Sequence, residues 1–339
     1  MKQAIMTAPG EIKIHDIEVP SPGKEEVLLE IKRIGVCGSD VHVFHGLHPY
    51  TSYPVVQGHE YSATLAAVGD GVEGLSPGMK VTSMPQIVCG ECAPCLRGDY
   101  HICDVLKVQG FQAPGCAQEY WVTDASTIVP LPDSFSFEQG ALVEPVSVAV
   151  HSTSRAGDIK GRNVAVLGAG PIGNLVGQVA QAFGSQVLIT DLSDYRLEIA
   201  QQCGIANTSN AAEESLADSS ERIFGSAGFD VVLECVGVED TMTAAIENIQ
   251  KGGTIVVVGV FGEKPRVDMG LVQDRELNLR GTLMYQRPDY ERAVELINAG
   301  AVKTDPLFSK HFSMDEYLDA YRFIDAQGDK SMKVFIDIS

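Results

Sequence analysis

The sequence predicts an α/β protein, with a β-rich region over residues 1–145, a doubly wound parallel-sheet region over 146–285, and a C-terminal helix-and-strand segment over 286–339. Three observations predict it. The hydrophobic pattern changes near residue 145 from strands and turns to strands alternating with helices, the signature of βαβ units. The run Gly168-Ala-Gly170-Pro171-Ile172-Gly173 sits between an apolar strand-like stretch and a helical period. Four cysteines occupy one Gly/Pro-broken loop as Cys89-x2-Cys92-x2-Cys95-x7-Cys103.

The elements follow in order. EVLLEIKRIGV alternates β-favouring residues, and PSPG, GDG and SPG punctuate the loops around it. NVAVL predicts a buried strand and NLVGQVAQAFG the helix after it. QVLIT and DYRLEIAQQCG repeat the pair, and FDVVLEC and TIVVVG are further buried strands with a helix between them. YERAVELINAG is helical, and a link leads from it to Ser313-Met-Asp-Glu316, a capping box that opens the helix YLDAYRFIDA. KVFIDI closes the chain as a strand.

Composition narrows the function classes. The 339 residues are 45% hydrophobic and 21% charged, an ordinary globular balance for about two domains. The net charge of -20 repels phosphate backbones and anionic lipid, so neither nucleic acid nor membrane is an expected partner. No stretch approaches the roughly 20 apolar residues of a spanning helix, and the opening MKQAIMTAPGEIKIHD has no apolar signal core. Eight cysteines, four of them in a metal-type cluster, fit a reducing compartment, so the expected location is cytoplasmic. Cys203 and Cys235 read as small core residues.

The glycine run has the context of a dinucleotide fingerprint. Gly168 permits the tight turn, Gly170 lets backbone approach a pyrophosphate, and Gly173 lets helix and strand pack closely. Pro171 and Ile172 start the helix, whose free N–H groups and positive dipole end suit phosphate. Asp191, at the end of the next strand, is placed to accept both adenosine-ribose hydroxyls and to repel a 2′-phosphate. NAD is therefore the expected cofactor.

Two metal signals of different chemistry precede that fingerprint. Cys89, Cys92, Cys95 and Cys103 can close a tetrahedral thiolate shell around a structural Zn²⁺. Cys37 and His59 with a carboxylate oxygen could give a second zinc shell that keeps an open position, as catalytic zinc does. Glu60 and Glu144 are both candidates for the oxygen, directly or through water. Asp40 is a candidate acceptor for the second His59 ring nitrogen.

Together these motifs resemble the zinc-dependent medium-chain alcohol dehydrogenase family, in its sorbitol (L-iditol) and threonine dehydrogenase branch. The residues that carry the resemblance are Gly35-Val-Cys37-Gly-Ser39-Asp40-Val-His42, Gly58-His59-Glu60, the four-cysteine loop, Glu144-Pro-Val-Ser-Val-Ala-Val-His151, the glycine run and Asp191-Leu-Ser-Asp-Tyr-Arg196. They stand in family order over essentially the whole chain. The resemblance implies a GroES-like catalytic domain, a Rossmann NAD-binding domain, a C-terminal segment that returns to the first, and a homo-oligomer, dimer or tetramer. It implies zinc at Cys37, His59 and Glu60 with Glu144 in or near the shell, Arg196 along the adenosine, and Val258-Gly259-Val260 near the nicotinamide.

Two stretches depart from the common polyol form. Pro114-Gly115-Cys116 resembles threonine dehydrogenase, and Met284 stands where several polyol enzymes carry Arg, with Arg287 nearby as a second cation. The expected reaction is reversible oxidation of a secondary alcohol, a polyol or sugar derivative, by hydride transfer to NAD, with zinc polarising the hydroxyl. Ser39 is the expected first acceptor of the hydroxyl proton and His42 its continuation to solvent, while Glu60 could take that proton instead. Threonine 3-dehydrogenase and aldonate dehydrogenase activities are alternatives of the same chemistry. A non-catalytic NAD-binding or redox-sensing protein is the alternative from another class.

Overall fold

The structure is a computed structural model that describes Met1–Ile338 and divides into two compact units. One unit is Met1–Glu144 with Gln286–Val294 and the chain from Phe308 onward; the other is Pro145–Tyr285 with Glu295–Leu307.

The first unit is built on a sheet whose central strand is Glu26–Gly35. Val27, Leu29 and Ile31 alternate into the core, the period-2 burial that the sequence pattern predicts. Glu60–Val68 pairs antiparallel with one edge of this strand, and both Tyr120–Asp124 and the C-terminal strand Lys333–Asp337 pair antiparallel along it. Phe308–Ser313 then adds parallel to Lys333–Asp337. The sequence had suggested only a link where this strand lies. Its Lys310, His311 and Ser313 mask a strand pattern that pairing with a neighbour supplies.

Helices interrupt this β-rich region at Gly38–Phe44, Ala93–Leu96 and Phe137–Ala141. They are too short for a 3.6-residue period to register in sequence, and local caps hold two of them. Asp40 accepts from the Cys37 N–H at 3.0 Å, and Ser136 with Gln139 forms a capping box.

In the second unit six strands, among the described residues, form one parallel sheet. Its order is Asn207–Asn210, Gln186–Asp191, Asn163–Leu167, Val231–Glu234, Thr254–Val257, Asn278–Gly281. Two strands run outward on one side of Asn163–Leu167 and three on the other, the doubly wound arrangement the sequence predicted. Val164, Ala165, Val166 and Leu167 are all buried, as expected of a strand covered on both faces. The predicted Ser313–Glu316 capping box forms, its Glu316 carboxylate accepting from the Ser313 N–H at 3.0 Å, and Tyr317–Gln327 follows as the helix. No described helix is long and apolar enough to cross a membrane.

Candidate active site

Strand register builds the first site. Gly35 pairs with Glu60 and Phe335 pairs with Gly35. Cys37 lies two residues beyond Gly35, His59 one before Glu60, and Lys333 two before Phe335, so three distant segments meet where three adjacent interior strands begin or end. Ligand atoms of Cys37, His59 and Glu60 lie within 4.8 Å of one another. Gly35 makes the room: a Cβ there would sit 2.5 Å from Glu60 Oε2. Gly58 takes φ +92, where a side chain would be strained and would press Cys116 Sγ at 2.9 Å.

His59 and Glu60 are buried, at 5% and 1% exposure, so their charges need partners. Glu60 Oε2 accepts from Lys333 Nζ at 2.6 Å, and that ammonium also donates to the Val36 carbonyl at 3.2 Å. Burial alone would lower the Lys333 pKa, but the Glu60 carboxylate and Cys37 hold it above its ordinary value. Burial first, and then the Glu60 charge, push the Cys37 thiol up. A bound dication reverses that balance and favours the thiolate. A soft thiolate, an imidazole and a carboxylate are a donor set that suits Zn²⁺.

The remaining residues of this constellation take graded positions. Asp40 Oδ1 lies 3.6 Å from His59 Nδ1, an ion-pair distance longer than a hydrogen bond. Glu144 is buried in the first turn of Val143–Ser154 and acts on His59 and Lys333 through its charge, but it lies outside the close group of three. Ser39 is half-buried and His42 exposed, three residues apart on the helix Gly38–Phe44 and hence on one face. Phe111 walls the site, its ring 4.9 Å from the His59 ring and stacked at 4.8 Å on His48. Arg287 is committed elsewhere: its guanidinium donates to the backbone carbonyls of Ser126 and Ile128.

The four-cysteine loop folds into a knot of thiols. Cys89, Cys92, Cys95 and Cys103 bring their sulfurs within 4.8 Å of one another, and all are free of disulfides. Cys92 N–H points at Cys89 Sγ at 3.3 Å and Cys89 N–H at Cys103 Sγ at 3.4 Å. N–H groups of Asp104 and Cys95 pull the Cys92 thiol down to about 7. Desolvation and then the Cys92 sulfur push Cys95 up. Four crowded thiols of this kind are a closed zinc shell in waiting.

The second unit carries the dinucleotide elements at the carboxyl ends of its strands, where open parallel sheets bind ligands. Gly168 has φ +95, and a Cβ on Gly173 would lie 1.9 Å from the Gly168 carbonyl oxygen, so the turn and the close helix both require glycine. Gly170 caps the helix Pro171–Ala182, with Pro171 and Ile172 in its first turn. Asp191 Oδ2 accepts from Ala169 N–H at 2.7 Å, Oδ1 accepts from Ser193 N–H at 2.9 Å, and Arg196 Nη1 stands 3.8 Å from Oδ2. The N–H groups of Val258 and Gly259 both donate to the Glu234 carbonyl at 2.8 Å, and exposed Val260 lies against the Gly237 turn.

Sequence reasoning missed four residues. Lys333 and Tyr321 join the candidate metal site across long separations and lie in no local motif, and Gln57, just before Gly58-His59-Glu60, gains its meaning from Tyr321 264 residues away. Glu234, fully buried, accepts from Val236 N–H, Gly237 N–H and Thr241 Oγ1, and so shapes the turn beside Val258–Val260. Its one sequence signal was an acid inside the apolar run FDVVLEC.

Known proteins match over the full chain. The model of the alcohol dehydrogenase GroES-like domain matches residues 23–133, and that of the zinc-binding dehydrogenase matches residues 171–299. The chain is 36% identical over 315 residues to 2-dehydro-3-deoxy-L-galactonate 5-dehydrogenase of Pseudoalteromonas atlantica, covering 92% of each protein. It is 31% identical to sorbitol dehydrogenase of Bacillus subtilis, over 94% of this chain and 92% of that one. The solved structure of a protein described as a short chain alcohol dehydrogenase from Escherichia coli CFT073, complexed with NADH, superposes with a TM-score of 0.92 at 27% identity, covering 100% of this chain and 99% of the other.

Proposed function

The chain belongs to the zinc-dependent medium-chain alcohol dehydrogenase family, and on that footing we propose that it reversibly oxidises a secondary alcohol of a polyol or sugar-derived substrate, with NAD as the hydride acceptor. The observation that carries the reading is the convergence of Cys37, His59 and Glu60 at the ends of adjacent strands beside buried Lys333. Cys37, His59 and Glu60 would hold the catalytic zinc, with Glu144 in reserve, and the four-cysteine loop the structural one. Bound there, zinc supplies Lewis-acid polarisation of the substrate hydroxyl, and the nicotinamide supplies the hydride acceptor.

The chain's own groups do the rest. Asp40 lies against the His59 ring and acts on it through its charge. Ser39 takes the hydroxyl proton and His42, exposed on the same helix face, passes it to solvent. Phe111 provides an apolar wall beside His59. The glycine turn Gly168–Gly173 receives the pyrophosphate, Asp191 the ribose, Arg196 the adenosine side, and Val258, Gly259 and Val260 the nicotinamide side.

We assign catalysis to residues 1–145 with the returning segment 286–339, and NAD binding to 146–285. The helix end and loop Glu295–Leu307 group with the second unit. The same reading makes the protein a cytoplasmic homo-oligomer, dimer or tetramer. Its free thiols support the compartment. The exposed edge strand Asn278–Gly281, with Leu279 and Leu283 at the surface, offers a place for a second copy.

A panel of polyols, aldonates and L-threonine, followed by the ultraviolet absorbance of reduced nicotinamide, tests the substrate class. Turnover on polyhydroxylated alcohols is expected. Activity confined to L-threonine would move the assignment to the reading that Pro114-Gly115-Cys116 favours. Cofactor binding with no turnover on any of them would support the non-catalytic alternative.

Asp191→Ala should narrow the preference for NAD over NADP by at least about tenfold, since charged hydrogen bonds contribute about 1.5–3 kcal/mol and about 1.4 kcal/mol is one decade. The ratio is the right readout. Loss of the Asp191 bond to Ala169 N–H also loosens the glycine turn, which weakens both cofactors alike. A wild-type preference for NADP would remove Asp191 from this role.

A further inference from the structure

A chain of buried polar groups runs from the C-terminal helix Tyr317–Gln327 to the metal-site histidine. Tyr321 Oη donates to Gln57 Oε1 at 2.8 Å. The other end of that amide, Nε2, faces Asp40, 3.3 Å from its backbone carbonyl and 3.4 Å from Oδ1. Asp40 Oδ1 in turn lies 3.6 Å from His59 Nδ1, and its Oδ2 takes the Cys37 N–H at 3.0 Å. Tyr321, Gln57 and Asp40 are at most 2% exposed, so water does not compete for these groups.

The geometry has a chemical direction. A glutamine amide can flip, and the two orientations exchange donor and acceptor. The Asp40 carbonyl and carboxylate oxygens accept, so the NH₂ end of Gln57 turns toward them and its carbonyl end toward the Tyr321 hydroxyl, which donates to it. The reverse orientation would set a carbonyl oxygen against the Asp40 carboxylate with no donor between them. Asp40 is thus held from two sides, by the Cys37 backbone and by Gln57, with the oxygen that faces His59 anchored by the glutamine.

We propose that Gln57 and Tyr321 are positioning residues of the metal site, which fix Asp40, and through it the His59 imidazole, from the C-terminal helix. The inference rests on the reading of Cys37, His59 and Glu60 as the catalytic zinc ligands. It ties the retention of that metal to a helix 264 residues away in sequence from Gln57.

The test uses the purified zinc-loaded protein and the variants Gln57→Leu, Tyr321→Phe and the double variant. Tyr321→Phe keeps the ring and removes only the hydroxyl. Gln57→Leu keeps the bulk and removes both polar ends. Zinc release to a chromophoric chelator is followed for the labile and thiolate sites separately, and the visible spectrum of cobalt at the labile site reports its ligand geometry. Each single variant should release the labile metal about tenfold more readily, the low end of what supporting residues contribute to metal affinity. The cobalt spectrum should shift while thiolate-site release stays at the wild-type rate. The double variant should be no worse than the weaker single one, because both act through one chain of bonds.

Wild-type retention and spectrum in either single variant, or losses that multiply in the double variant, would overturn the proposal and leave the ligand assignment standing. A wild-type protein that holds metal only at the four cysteines would overturn both. Faster release from both sites together would indicate a general loosening of the fold and also count against it.

Discussion

Cys37→Ser or His59→Ala is expected to lower turnover by at least about three decades, because Lewis-acid polarisation contributes several kcal/mol and each 1.36 kcal/mol is tenfold. The two candidate ligands lie in the loops that flank the Gly35–Glu60 register pair. NAD affinity should survive, since the glycine turn and Asp191 are fixed by their own sheet, through Gly168, Ala169 and Ser193. The four-cysteine metal should also survive, so zinc per chain should fall from two to one. Initial rates, cofactor titration and elemental analysis on the same preparation check all three. Full turnover with one zinc missing would refute the site. Loss of NAD binding along with turnover would point to global damage instead.

Lys333→Ala should destabilise the first unit by about 3–5 kcal/mol in zinc-stripped protein, because it leaves the Glu60 carboxylate buried without its cation. The pair is 2.6 Å apart with both side chains under 5% exposed, so solvent cannot take over the role of the ammonium. The single tryptophan, Trp121, is buried in this unit and reports its unfolding in denaturant. Replacing both charges, as Glu60→Gln with Lys333→Met, should recover most of the loss, since a buried pair contributes little over neutral groups of similar size. Added zinc should narrow the defect of Lys333→Ala by supplying another cation near Glu60. An unchanged midpoint for Lys333→Ala would show that Glu60 is neutral or solvated there.

Much of the chemistry was legible because its residues are close in sequence. The four cysteines span one short loop, and the glycine run and Asp191 flank one helix, so spacing alone carries the geometric constraint. Cys37 and His59-Glu60 were individually weak signals that gained weight from company. Most of what was not legible at the candidate metal site depends on partners hundreds of residues away. Lys333 is an ordinary lysine in a terminal strand until the register Phe335–Gly35–Glu60 sets it against a carboxylate. Gln57 and Tyr321 are unremarkable in sequence for the same reason.

By itself, then, the sequence determined the fold class, the buried strands, the Ser313–Glu316 cap, the nucleotide turn and the thiol knot. Each of these is set by short-range pattern: side-chain period, a required glycine, a cap, or ligand spacing. Only the tertiary structure decided the polar edge strands Asn207–Asn210 and Asn278–Gly281, whose residues show no strand period and become strands by pairing with a neighbour already in place. It also decided which carboxylate joins Cys37 and His59. Glu60 and Glu144 are equally acidic in sequence, but backbone pairing with Gly35 brings Glu60 within reach of both ligands and leaves Glu144 to act through its charge from outside the group.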